Sequence, residues 1–279
     1  MVRILGDTTS GIPLGRAKEL DLILLPQIIM FDQDSYRDDT EIDAQTFISK
    51  LKAATNLPKT AAPPPALYQP YLAQAQKDHQ DVIIICPSAG LSGTVRSATT
   101  AAGEFPGLTI EVVDSLTIGS GLASLVLQAH RWAKEGLQFK EILTGIQDLI
   151  IKEQNYFVVD TLEYLHKGGR IGGAQNLVGS MLQIKPILTI KEGKVQTVES
   201  QRTKKRAHER LLDLIAGDFP GTEEACLCLM HGDAVEDAQR LASILKTKYE
   251  LSDVPIYELP PAFLVHAGPG VIGVSFYKK

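Results

Sequence analysis

Cysteine is scarce in this chain, with three in 279 residues. That is too few for a disulfide framework, and a reducing cytoplasm is the expected setting. Long apolar runs are lacking as well. The longest, LILLPQIIMF from Leu22 to Phe31, falls far short of the ~20 residues that a membrane-spanning helix needs. The amino terminus, MVRILGDTTSG, reaches an acidic residue too soon to hold a secretory hydrophobic region. Positive charge is not in excess. A formal net charge of -5 leaves no electrostatic footprint for nucleic acid, so that partner class is set aside.

What is present is the composition of an ordinary globular protein, 44% hydrophobic and 22% charged, long enough for one large domain or two modest ones. VRILG (2–6), DVIIIC (81–86) and LTIEVVD (108–114) are continuous or near-continuous apolar runs. They read as buried strands. LILLPQIIMF reads as more strand, with Pro26 marking an edge or a bulge. IDAQTFISKLKAA places Phe47, Leu51 and Ala54 at helical spacing. The prolines of NLPKTAAPPPALY (56–68) preclude regular structure before a helix around 66–76. Strands separated by helices of this length point to βαβ units and a parallel sheet.

The second half reads differently. NYFVVD (155–160) precedes ILTIKEGKVQTVES (187–200), a hairpin centred on Gly193-Lys194. A basic helix from near Thr203, ACLCLM (225–230), a helix near 233–249 and closing strands near 255–258 and 271–277 follow. The expected class is α/β with two domains, a parallel-sheet domain over 1–160 and a mixed-sheet domain over 161–279. The boundary is soft and leaves room for segment exchange.

Several stretches carry polar groups worth weighing. KGGRIGG (167–173) has the look of a phosphate loop, but Arg170 stands where a dinucleotide fingerprint needs glycine, and Lys167 precedes the glycines instead of closing a P-loop. In CPSAGLSGT (86–94), a strand ends and a helix opens at Ser92-Gly93-Thr94. A helix start outside a strand's carboxyl end offers free N–H groups to an anion; Ser92 is either a simple N-cap or a ligand contact as well. Thr60 is either an ordinary loop residue or a hydroxyl presented by a proline-stiffened loop. Asp114-Ser115 reads as a site or as a helix-start signal. Ser92 with His266 as base would suit a lipid hydrolase, yet GLSGT lacks the G-x-S-x-G elbow and no acid partner is marked. Cys226, Cys228 and His231 make an incomplete zinc set, and buried core thiols are the alternative. RTKKRAHER (202–210) is a solvated helix face or a docking surface for an acidic partner.

Taken together, DTTSG (7–11), PKT (58–60), LSGT (91–94), DSLTIGSGL (114–122), VDTLEYLHKGGRIG (159–172), IKPIL (184–188) and HAGPGVIGV (266–274) resemble the DegV family of bacterial proteins along the whole chain. The resemblance implies two α/β domains enclosing a long-chain fatty acid such as palmitate between them. It implies a non-catalytic subunit without a cofactor of its own, which presents the carboxylate to a separate ATP-dependent fatty acid kinase subunit for conversion to an acyl phosphate. By position, Thr60 and Ser92 would hold the carboxylate with His266 close by, and Arg170 and Arg202 would lie at the rim, serving the head group or the kinase. Ala61-Ala62-Pro63 after PKT and Pro87-Ser88-Ala89-Gly90 before LSGT depart from the serines common there, which leaves both hydroxyls but fewer polar neighbours.

Overall fold

The computed structural model describes residues 2–180 and 184–278. Strand β1 (Val2–Asp7) leads through a short 3-10 turn at Thr8–Ser10 to helix α1 (Leu14–Leu20), then β2 (Ile23–Leu25), β3 (Ile28–Phe31), β4 (Asp34–Arg37), α2 (Ala44–Ala53) and β5 (Lys59–Ala61). Next come α3 (Gln69–Lys77), β6 (Asp81–Cys86), α4 (Thr94–Gly103), β7 (Ile110–Asp114), α5 (Ser120–Lys134) and α6 (Phe139–Lys152). The remainder runs β8 (Glu153–Val158), α7 (Glu163–Lys167), β9 (Lys185–Lys191), β10 (Lys194–Gln201), α8 (Lys204–Asp218), β11 (Cys228–His231), α9 (Val235–Tyr249), β12 (Ile256–Glu258), α10 (Pro261–Ala267) and β13 (Ile272–Tyr277).

Four strands form an all-parallel sheet in the order β2-β1-β6-β7. Its near-continuous apolar sequences follow from burial on both faces. Along β6, Ile83 and Ile85 enter the cluster built with α5 and α6, while Val82, Ile84 and Cys86 enter the one built with α3 and α4. A second, mixed sheet of six strands runs β10-β9-β8-β13-β11-β12. Only one of its faces is covered by α8 and α9: Tyr156, Val158, Leu229, Ile272, Val274 and Phe276 pack there. Alternation sends Phe157 and Met230 to the opposite face, with Gly273 between them in register.

A third sheet, β4-β3-β5, is small and antiparallel. Here two sequence expectations are corrected. Pro26 is neither an edge nor a bulge of one strand; it lies where the chain passes from β2 in the parallel sheet to β3 in the small sheet. The PKT segment is not irregular, because the flanking prolines spare Lys59–Ala61, which pairs antiparallel with Ile28–Met30. Ile29 and the α2 residues Phe47, Ile48 and Leu51 then share a core with Leu162, Leu188 and Leu264. Residues from the first third of the chain thereby complete the second sheet's exposed face. Alternation in ACLCLM as a strand would put Cys226 and Cys228 on one face; instead only Cys228 onward is strand and Cys226 has a left-handed backbone (φ 51), so the two thiols do not share a pleat.

Candidate functional site

Between the parallel sheet and the uncovered face of the mixed sheet lies a cavity of about 380 Å³, within the range of small-molecule sites. Its apolar lining draws on β8, β9 and β10 (Phe157, Ile190, Val195), on Met230 of β11 and on Leu259, Phe263 and Ala267 around α10. Successive rows across the mixed sheet set its character. Gly273 pairs with Phe157 and Met230, and the absent side chain leaves an open channel between two large ones. One row further along β13, away from the His266 turn, Ser275 pairs with Asn155 and Cys228. That row is polar but internally satisfied. Ser275 Oγ donates to Ser120 Oγ at 2.8 Å, and the Asn155 side chain serves Glu153 and Ile190.

The His266 side of the cavity gathers hydroxyl and cationic groups. Pairing of β5 with β3 holds Thr60, and its Oγ1 lies 2.8 Å from His266 Nε2. Burial, and secondarily the charge of Arg170, pushes His266 down to about 4, so the ring is neutral near pH 7. Its Nδ1 has no hydrogen-bond partner among the described residues. Ser92 is fixed from behind: its N–H donates to Ser88 O at 2.9 Å, and Ser88 Oγ donates to Gly193 O at 2.8 Å in the β9–β10 turn. The N-cap of α4 is Gly93, not Ser92, and the cap position itself makes no side-chain bond. Ser92 stands one residue earlier, with Oγ 2.8 Å from Thr94 Oγ1 and accepting from Thr94 N–H at 3.3 Å. The helix start therefore faces the cavity beside a hydroxyl.

Arg170 also lines the cavity. The left-handed Gly169 (φ +71) turns the chain out of α7, and Arg170 is then held by two carbonyls, Nε to Leu91 O at 3.1 Å and Nη1 to Gly168 O at 2.6 Å. The KGGRIGG glycines thus make a turn around an arginine that bridges the loops before and after the site. Gly168 itself must lack a side chain, since a Cβ there would collide with the His266 ring and Tyr164 O. Arg202 is exposed and is not part of the lining. Asp114 serves a turn: its carboxylate accepts from Leu116 N–H at 3.0 Å, and the next helix begins only at Ser120. Among the described residues no group of side chains is arranged to hold a metal, and no helix is long and apolar enough to cross a membrane.

Sequence reasoning missed several lining groups: Arg96, Gln27, Thr9, Ser120 and Gly273. DTTSG flagged the region of Thr9 without revealing a role. Nothing in the local pattern around Gln27 or Arg96 separates them from any loop or helix-surface residue.

These features define a class: a three-sheet α/β protein that encloses a largely apolar cavity bordered at one side by hydroxyls, a helix start and an arginine. The model of a family of uncharacterised proteins, the DegV family, matches residues 1–279. The chain belongs to the DegV family. A DegV domain-containing protein of Halalkalibacterium halodurans is 32% identical over 277 residues, covering 99% of this chain and 98% of that protein. Among solved structures, the fatty-acid-binding DegV family protein of Thermus thermophilus superposes with a TM-score of 0.91 at 29% identity, over 100% of this chain and 99% of that one. The fatty-acid-binding DegV family protein of Streptococcus agalactiae gives 0.90 at 28% identity, again over 100% and 99%.

Proposed function

We propose that this chain binds a long-chain fatty acid, with the tail in the cavity and the carboxylate at Thr60 and Ser92 beside His266. It then presents that carboxylate to a separate ATP-dependent fatty acid kinase subunit, which converts it to an acyl phosphate. The observation that carries the reading is the cavity itself, an apolar channel with its hydroxyls and helix start gathered at one side, in a chain whose structural neighbours bind fatty acids. Burying a fifteen-carbon tail contributes on the order of 10 kcal/mol gross at ~0.8 kcal/mol per CH₂, reduced by the costs of association. A carboxylate needs donors once it leaves water. Hydroxyls and helix N–H groups supply them while leaving an oxygen free for phosphoryl transfer.

The tautomer of His266 follows from the same demand. With Nε2 protonated it donates to Thr60 Oγ1, which frees the Thr60 proton for the ligand. A Ser92/His266 hydrolase is disfavoured, because the hydrogen-bond partner of His266 is Thr60 and no acid orients Nδ1. In this reading the protein is a cytoplasmic, non-catalytic subunit, nucleotide belongs to the kinase, and Arg170 and Arg202 serve the head group or kinase docking. The chain divides near residue 160, with the 28–61 segment completing the second domain's core.

Mass spectrometry of the purified protein, native and after solvent extraction, tests the binding. One fatty acid per chain, lost from a Thr60→Ala/Ser92→Ala double variant, is the expected result; a protein that is empty and takes up no added fatty acid refutes it. Acyl phosphate formation with a kinase from the same cell tests the presentation. Arg202→Ala is expected to slow it while retaining lipid.

A further inference from the structure

Behind Ser92 a hydrogen-bonded chain leads into the parallel-sheet domain and ends on a carboxylate with no part in the reading above. Thr94 Oγ1, 2.8 Å from Ser92 Oγ, donates to Asp7 Oδ2 at 3.2 Å. The Gln27 amide donates to Thr94 Oγ1 at 3.1 Å and to the same Asp7 oxygen. Asp7 Oδ1 accepts from the N–H and hydroxyl of Thr9 at 2.7 and 2.6 Å. Asp7 and Thr94 are each 1% exposed. A second buried carboxylate, Asp38, accepts from Thr8 Oγ1 at 2.9 Å and Gln27 N–H at 2.8 Å. The titratable groups whose charges couple to Asp7 are Asp38, Tyr68 and Cys86, and all three are acids.

A hydroxyl has one proton to give, so the direction of this chain depends on Asp7. When Asp7 is ionised, Thr94 must donate to it, and Thr94 Oγ1 then competes for the Ser92 proton. When Asp7 is protonated the order reverses: Asp7 donates to Thr94, Thr94 donates to Ser92, and the Ser92 proton points into the cavity. We propose that Asp7 is a positioning residue for the ligand carboxylate, and that the protein takes up one proton from solvent on Asp7 as the anion binds. The proposal rests on the carboxylate lying at Ser92.

Charge favours the same outcome. Burial, opposed by the hydrogen bonds from Thr9, Gln27 and Thr94, already raises Asp7 to about 6, so the empty site holds it largely ionised near pH 7. Asp38, raised to about 8 by burial, is mainly protonated near pH 7, so an arriving anion places a second negative charge near the ionised Asp7, which favours its protonated form further. Affinity is then level below about pH 6 and falls as pH rises, by up to about tenfold per pH unit, until the ligand-bound carboxyl also ionises.

The test is calorimetric titration of the delipidated full chain with decanoate, kept below its aggregation concentration, between about pH 6 and about pH 9. Decanoate is ionised throughout, and two buffers of different ionisation enthalpy report proton uptake. The wild type is expected to take up close to one proton and to weaken with rising pH. Asp7→Asn, whose amide mimics the protonated acid as a donor to Thr94, is expected to bind without proton uptake and with a level pH profile. Should that variant not fold by circular dichroism, Thr94→Val serves, because it cuts the chain between Asp7 and Ser92 and is expected to level the profile too. No uptake by wild type, or an unchanged slope in these variants, overturns the proposal, as does loss of the uptake in Asp38→Asn alone. Failure of wild type to bind decanoate at any pH would instead sink the carboxylate reading beneath it.

Discussion

Gly273→Leu offers the sharpest test of the channel. Gly273 lies on β13 between Phe157 and Met230, and a Cβ there would sit 3.3 Å from Met230 Cγ and 3.7 Å from Phe157 Cβ. Alanine therefore needs only a small shift of a flexible methionine. Leucine must send its remaining carbons into the cavity and displace about four methylenes of the ligand, at ~0.8 kcal/mol each. The expected loss is about 3 kcal/mol, roughly a hundredfold in Kd, confined to acyl chains long enough to pass this row. Acids that end before it keep their affinity. Calorimetry over a series of chain lengths, with extraction and mass spectrometry of co-purified lipid, reads the outcome, and a thermal melt controls for folding. Equal weakening of short and long acids, or wild-type retention of long ones by a folded variant, would refute the channel argument.

Three further predictions concern the site and its buried charges. Thr60→Val keeps the shape but removes the hydroxyl and strands His266 Nε2; fatty acid binding is expected to weaken by about 1–3 kcal/mol without loss of fold, as judged by calorimetry and circular dichroism. Arg170→Ala removes a cation that disfavours imidazolium, so the His266 ring should titrate at higher pH in an NMR titration, whereas an unchanged value would show that the two do not interact. Stability should fall as pH rises from about 4 to about 8, because burial raises Asp7, Glu153 and Asp38 from ordinary carboxyl values to about 6, 7 and 8. The stabilisation from a raised acid is complete below its unfolded value and is lost as pH climbs through the folded one. His266, pushed down to about 4, acts oppositely, losing stability as pH drops from about 6.5 toward 4. Melting temperature against pH checks this, and Asp38→Asn should flatten the upper part of the curve.

Much of the architecture was legible along the chain. Apolar runs without alternation marked β1 and β6 because a strand buried on both faces has no polar side to show, whereas β7, at the sheet edge, exposes Glu111. The helical spacing of Phe47 and Leu51 marked α2, which the structure shows capped by Asp43 at Thr46 N–H (2.7 Å), as Thr203 caps α8. The misreadings share one cause. Whether Pro26 interrupts a strand or separates two sheets, and whether PKT is loop or strand, depends on pairing partners far away in sequence, and local propensity carries no information about them.

The site divides along the same line. Residue type and spacing determined which groups could meet an anion, since a helix start after a strand offers N–H groups wherever it occurs, and Ser92 and Thr60 stood out as hydroxyls in constrained loops. The sequence also determined the turn that presents Arg170, because glycine tolerates the left-handed backbone found at Gly169. Only the tertiary structure brought Thr60 to His266 across 206 residues, set Gly273 between Phe157 and Met230, and joined Ser92 through Thr94 to Asp7. Pleat alternation sorts each strand's side chains onto two faces, but which face meets the other sheet, and therefore which residues line a cavity, is decided when the sheets pack.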